Sequence, residues 1–272
     1  MKERMMSSRV AKRSKESLLG LFHVDWRSKL NPFLFFLLCI ALWEAYVLVF
    51  NMKEVILPSP FAVGKVLVGS RLLLLRHILP TLYLVVVGFV IAVIGGILTG
   101  ILIVYSPFIN RTVFPLIVVS QVVPKIAVAP LLMIWFGMTD YSRLLLCFLI
   151  SYFPLVINTA TGLQNVDENM IRMGKVFTAT KWQNFKMIMI PHALPYIFSG
   201  MKITITVSVI GVIVAEFVAS QKGIGYVIIF ASGHLDTALV MAALVVISVV
   251  GWILFALIET LEKIFIYWSP QE

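Results

Sequence analysis

Long apolar runs alternate with short polar breaks along this chain, and one polar stretch is too long to be a simple break. Six runs approach membrane-spanning length, at about residues 32–50, 80–105, 113–136, 144–163, 196–219 and 239–266. A span needs about 20 apolar residues, so the pattern predicts an all-α polytopic membrane protein with about six transmembrane helices. Residues 60–79 carry an amphipathic stripe of Val63, Val66, Leu67 and Leu72 to Leu75 beside Lys65, Arg71 and Arg76, which reads as an interfacial helix rather than a further span. The long polar stretch, about 165–195, predicts two short amphipathic helices that offer Phe177, Trp182 and Phe185 to a partner. Pro191 and Pro195 would punctuate its return to the bilayer.

Composition strengthens the membrane assignment. Of the 272 residues 60% are hydrophobic, and the mean hydropathy is +1.00, well above soluble domains. The reading divides the chain into a basic arm at 1–30 and a transmembrane domain at 31–272. About thirty polar residues precede the first apolar run with no small-residue cleavage site after it, so no cleavable signal is expected.

Charge then orients the spans. The net charge is +9. A basic surface can mean nucleic acid, but positive-inside topology accounts for this one better. With the N-terminus inside, fifteen Lys and Arg fall on the cytoplasmic side, eight of them in the arm, against six outside. Both termini are therefore expected in the cytoplasm of a bacterial-type cell membrane, with the arm lying on anionic lipid. Cys39 and Cys147 sit in separate apolar runs and predict no disulfide. No set of Cys and His forms a metal site, and His23, His77, His192 and His234 stand alone. Asn110-Arg111-Thr112 fits a glycosylation sequon but falls on the inner side.

Candidate chemistry lies inside the spans. Prolines 115, 124 and 130 break the third run, and broken helices persist in membranes only against protein or a watery cavity. That span either lines a passage or is a kinked packing helix. Lys125 directly follows the central proline. It is an anion contact in a pathway, or a lysine reaching an interface, or a structural partner of Glu216 or Glu44. Glu216 reads as a structural hydrogen-bonding group or a gate contact. Gln121, Asn158, Ser120, Thr161, Thr204, Thr206 and Ser208 offer further polar groups, most of them suited to bonds between helices. Gly96 and Gly100 form a GxxxG that would let another backbone approach closely.

Five pieces in order resemble the permease subunits of bacterial ATP-binding-cassette importers, in the branch for nitrate, sulfonate, taurine and bicarbonate that also includes permeases for thiamine precursors and riboflavin. They are Trp43-Glu44 with Leu57-Pro58-Ser59-Pro60; Pro130 to Gly137 followed by Ser142; Ser151-Tyr152-Phe153-Pro154 with Asn158-Thr159 and Gly162-Leu163; Ala215-Glu216; and Gly223-Ile224-Gly225. The resemblance covers nearly the whole chain after the arm. It implies a type I importer (MetI-like) architecture and a coupling loop at 165–195.

The loop departs from the family pattern of Glu-Ala-Ala, three residues, Gly, nine residues, then Ile-x-Leu-Pro. Here Arg172, Met173 and Gly174 stand for the first three residues, Thr178 stands for the glycine, and Ile188 to Pro191 close the motif at the same spacing. The resemblance assigns ATPase contact to the loop, with Arg172, Gly174, Phe177, Thr178, Trp182, Phe185 and Pro191 as candidates, while the polar groups inside the spans offer Lys125, Glu216, Gln121 and Asn158 to a pathway. A β-branched residue is costly at the positive φ a tight turn needs, so Thr178 predicts another turn shape or weaker docking.

The chain has no GxxxxGK[ST] phosphate loop of its own. The resemblance implies a separate ATP-binding subunit, an extracytoplasmic solute-binding protein, a second permease copy and no cofactor. The cargo would be a small solute, an anion such as sulfonate, nitrate or bicarbonate, or else a vitamin precursor. Two other classes compete. A membrane-embedded enzyme would need a nucleophile–base pair or metal set in the bilayer, and there is no HExxH or GxSxG. An ATP-independent secondary transporter would not need the polar loop, and no internal repeat is visible.

Overall fold

In the computed structural model, residues 26–266 are described. The larger part of the basic arm therefore lies outside the described residues. By Cα packing the chain divides into two units, Met1–Phe61 and Ala62–Glu272.

The first unit holds α1, Trp26–Val49. Its residues Leu34–Val49 are apolar and fall within the first expected run. The backbone N–H of Phe61 donates to Glu44 Oε2 at 3.1 Å, so Glu44 closes the Leu57-Pro58-Ser59-Pro60 turn back onto α1. That bond gives the Trp43-Glu44 and Leu-Pro-Ser-Pro pieces one structural purpose.

The described residues of the second unit form helices joined by short turns. The short α2, Pro60–Gly69, is followed by α3, Arg71–Tyr105. The sequence placed a break at Pro80, but the break is at Ser70 and Pro80 lies inside the 35-residue α3. At 1.5 Å per residue α3 is about 52 Å long, longer than the apolar core of a bilayer, so the basic stripe around Arg71 and Arg76 is the polar end of the span itself. A bent pair follows: α4, Phe114–Val119, and α5, Ala129–Phe136. Then come α6, Asp140–Gln164, the short α7, Glu168–Val176, and α8, Lys181–Asn184. The chain continues through α9, Ile190–Ala219, α10, Ile224–Gly233, and α11, Thr237–Phe265.

Among the described residues four helical segments are long and apolar enough to cross a membrane, and the bent pair spanning 107–136, taken as one span, makes a fifth. α3, the bent pair, α6, α9 and α11 correspond in order to the second to sixth of the six spans expected from hydropathy.

Two π-helical turns, Ile109–Val113 and Phe185–Met189, each precede a proline in the first turn of the next helix, Pro115 and Pro191. Proline removes one N–H from the ladder, and a wider turn lets neighbouring groups re-pair. In consequence Pro191 and Pro195 do not punctuate the polar loop. Lys181–Val218 runs as one 38-residue helix from that loop into the span.

α6 is central, packed between α3 and α9. Leu84, Val85 and Cys147 meet Val212 and Ile205 in one cluster, and Leu155, Leu163, Ala193 and Ile197 form another. Gly96 and Gly100 lie against Leu155 and Thr159 of α6, where an added Cβ would come within 2.9 and 2.6 Å of side-chain carbons, so the GxxxG sets the α3–α6 distance. Lys202 pairs with Glu262 at 2.8 Å and ties α9 to α11.

Candidate functional site

The polar loop leaves the end of α6 at Gln164. α7 is strongly amphipathic, and Glu168 accepts from Arg172 at 2.7 Å along its exposed side. Arg172 is thus occupied within its own helix, a surface pair worth only a few tenths of a kcal/mol. The helix ends in a left-handed residue, Thr178, at φ +59°. Ala179 N–H closes the turn on Gly174 O at 2.9 Å, the geometry that glycine normally supplies. The turn therefore keeps its shape although its glycine is gone. Thr180 then caps α8 in a reciprocal pair with Gln183, at 3.2 and 2.7 Å.

The three aromatic residues differ in burial, although Trp182 and Phe185 touch, ring centroids 5.6 Å apart. Phe177 and Trp182 are 74% and 68% exposed, in company with Met173 and Val176. Phe185, expected as a third contact residue, is only 8% exposed. Its ring meets Tyr105 edge-on at 5.4 Å and joins the cluster of Leu155, Leu163, Ala193 and Ile197. This corrects the sequence reading. The π-helical turn that begins at Phe185 aims its ring at the bundle, so it roots the loop. The side chain of Asn184 is also buried and rests on Gly174, where any Cβ would overlap it. Gly174 therefore serves close approach between α7 and α8.

The second group lies at the bend between α4 and α5. Val123 is extended and Pro124 non-helical, and the helices on either side, reaching Val122 and starting at Lys125, differ in direction by 87°. The Lys125 ammonium stands over the ring of Phe153, 4.2 Å from its centroid. Among residues 62–266 Lys125 makes no ion pair. A lysine at mid-span costs about 2.5–3.5 kcal/mol and a cation–π contact returns about 0.5–2 kcal/mol, so Phe153 offsets only part. Gln121 is exposed one turn before the bend. Asn158 donates to Pro154 O at 2.8 Å and packs on Gly200 of α9, which gives it a structural setting.

Glu216 is engaged elsewhere. Its carboxylate is 1% exposed and accepts from Thr81 Oγ1 and Gly225 N–H, both at 2.8 Å. Thr81 Oγ1 in turn accepts from Ile224 N–H at 2.8 Å, and His77 Nδ1 from Gly223 N–H at 3.1 Å. Gly223 has φ +109° and lies against the Glu216 carboxylate. One carboxylate thus joins α3, α9 and the turn that starts α10. The Lys125–Glu216 pair left open by the sequence is not formed.

The sequence reading missed Thr81, and also a cavity of about 690 Å³ at the end of the bundle opposite the polar loop, lined by Met138, Arg143, Phe217, Val218, Ser220, Gln221 and Lys222. Arg143, 6% exposed, bonds Asp140, Ser220 and Thr139 O there and fastens the ends of α6 and α9. The only sequence signal was an arginine at the edge of an apolar run.

A bundle of apolar helices with one bent span and a polar two-helix loop is the architecture of a membrane transport permease. The chain belongs to the family of binding-protein-dependent transport system inner membrane components, which matches residues 92–266. It is 31% identical to the formylaminopyrimidine transport permease protein ThiX of Halalkalibacterium halodurans, over 89% of this chain and 97% of that one. It is 29% identical to the putative aliphatic sulfonates transport permease protein SsuC of Bacillus subtilis, over 84% of each. In fold it is similar to a chain of the inward-facing MetNI methionine ABC transporter, with a TM-score of 0.62 at 17% identity, covering 72% of this chain and 98% of that one. The protein is a multi-pass membrane permease subunit of an ABC importer.

Proposed function

We propose that the 165–189 loop docks on a separate ATP-binding subunit, whose closure on ATP switches the spans between outward and inward access. The division of the loop's aromatics carries this reading: Phe185 is rooted in the bundle, while Phe177 and Trp182 are exposed, Trp182 with one side of its ring against Phe185. Apolar anchors on a short helix suit a groove on a partner. The unbroken helix Lys181–Val218 gives movement in that groove a rigid route into the membrane.

The loop side is cytoplasmic, as the bias of Lys and Arg supports, and both termini lie there. An extracytoplasmic binding protein hands over the cargo at the opposite end. A second copy of the chain completes the pathway, beside which Lys125 and Gln121 lie, while Glu216 and Asn158 hold the bundle. The cargo is a small solute. The names of relatives divide between sulfonates and a pyrimidine, an anion class and a heteroaromatic class.

Replacing both exposed anchors, Phe177→Asp with Trp182→Asp, is expected to cut co-purification of the ATP-binding subunit at least tenfold and to leave the yield of membrane-inserted permease unchanged. Phe185→Ala acts differently. It lowers the folded yield, because emptying a buried aromatic site costs about 3–5 kcal/mol. Full co-purification with the doubly substituted loop would sink the docking assignment.

A further inference from the structure

Residues 62–266 hold one cation at mid-span without an anionic partner. Lys125 follows the 87° bend, and the ring that receives its ammonium at 4.2 Å belongs to Phe153, midway along α6. That contact keeps the charge away from either interface, so the side chain is not snorkelling. Glu216 cannot neutralise it, since that carboxylate is bound to Thr81 and Gly225. One aromatic face does not replace the hydration of an ammonium group. Gln121, Val122, Val123 and Ile126 beside the bend are all uncovered by the rest of the chain, and water reaching that surface would supply the solvation still lacking. Bent backbone at membrane depth calls for the same thing, protein or a water-filled passage.

We infer that Lys125 is the charge-selecting residue of the translocation pathway and gives it a preference for solutes that carry an anionic group. This rests on the permease reading above and chooses between its two cargo classes. Fixed cations lining a passage attract anions and repel cations. Two copies around a shared pathway would contribute two such charges.

The charge preference can be read without knowing the cargo. In a Cys39→Ser background, where the remaining Cys147 is fully buried, Val122→Cys and Ile126→Cys are introduced singly. The complete transporter in membrane vesicles is then treated from either face with sulfonatoethyl methanethiosulfonate, an anion, and with the trimethylammonioethyl reagent, a cation. The anion-to-cation rate ratio is expected to exceed that for a free thiol in solution, and to persist in Lys125→Arg. In Lys125→Met it should fall roughly five- to tenfold, as for a unit charge about 7 Å away in a water-like dielectric.

A ratio unchanged in Lys125→Met overturns the inference. So does the absence of modification by either reagent at both positions, because no watery path then exists. If Lys125→Met and Lys125→Gln both fail to assemble, the ratio is measured against ionic strength with Lys125 in place, and a ratio flat from low to high salt overturns the inference. Co-purification of the ATP-binding subunit from the same vesicles separates the two failures. An intact complex with no charge preference removes the role of Lys125 and leaves the permease reading standing.

Discussion

Thr178 holds a backbone conformation that costs an L-residue about 1–2 kcal/mol, and a β-branched residue resists it most. It stays there because its surroundings over-determine the turn. Ala179 bonds back to Gly174, Thr180 and Gln183 cap the next helix, and Asn184 fills the space above Gly174. Thr178→Gly should relieve the strain, less the roughly 0.5–1 kcal/mol of extra freedom glycine gives the open state. Amide hydrogen exchange at 177–180 in the isolated permease is expected to slow about two- to fivefold. Equal or faster exchange would mean that the turn carries no strain. The sequence singled out Thr178 through its place in the coupling motif but left open whether the turn would change. That choice depends on neighbours the motif does not contain, Asn184 above all. The inward fate of Phe185 was hidden for a related reason. A π-helical turn rotates side chains by an amount that regular helical periodicity does not anticipate.

At the scale of elements, helices were legible because long apolar runs have few other ways to satisfy their backbone in a membrane. Their boundaries were less so. Pro80 was read as a boundary, yet α3 passes through it, whereas the real break at Ser70 has no proline. Small residues were the better guide to packing, since Gly96 and Gly100 do mark the contact with α6. Gly100→Val puts carbon where Thr159 already lies. Overpacking of this kind costs about 1–3 kcal/mol, which lowers the melting temperature in detergent by roughly 3–10 °C. Gly64→Val, on α2 where nothing lies within 4 Å, should leave it within a degree. Equal effects of the two substitutions would show that α3 and α6 are not in close contact.

At the scale of the whole molecule, the loop and the Arg143–Lys222 cavity lie at opposite ends of α6 and α9. Any signal from a cytoplasmic partner to the far end must therefore pass along the spans. With the rest of the importer present, a partner subunit whose phosphate-loop lysine is replaced is expected to reduce uptake to background while the complex still assembles. Uptake that continued would turn the assignment toward an ATP-independent transporter. At the far end, the Glu216 network and Arg143 hold α3, α6, α9 and the start of α10 together, so movement reaching it would shift these elements as a unit.

The sequence by itself determined that the chain is a helical membrane protein, that a polar loop interrupts its spans near 165–195, and that a lysine follows a proline in the third apolar run. Hydropathy and spacing carry those facts because they are properties of neighbouring residues. Only the tertiary structure decided which loop aromatics face outward, that Glu216 bonds Thr81 and not Lys125, and that Lys125 rests on Phe153. Thr81 and Glu216 are 135 residues apart. A hydrogen bond between them depends on how two spans are rotated against each other, and a local pattern such as GxxxG marks a contact face without naming the residue that meets it.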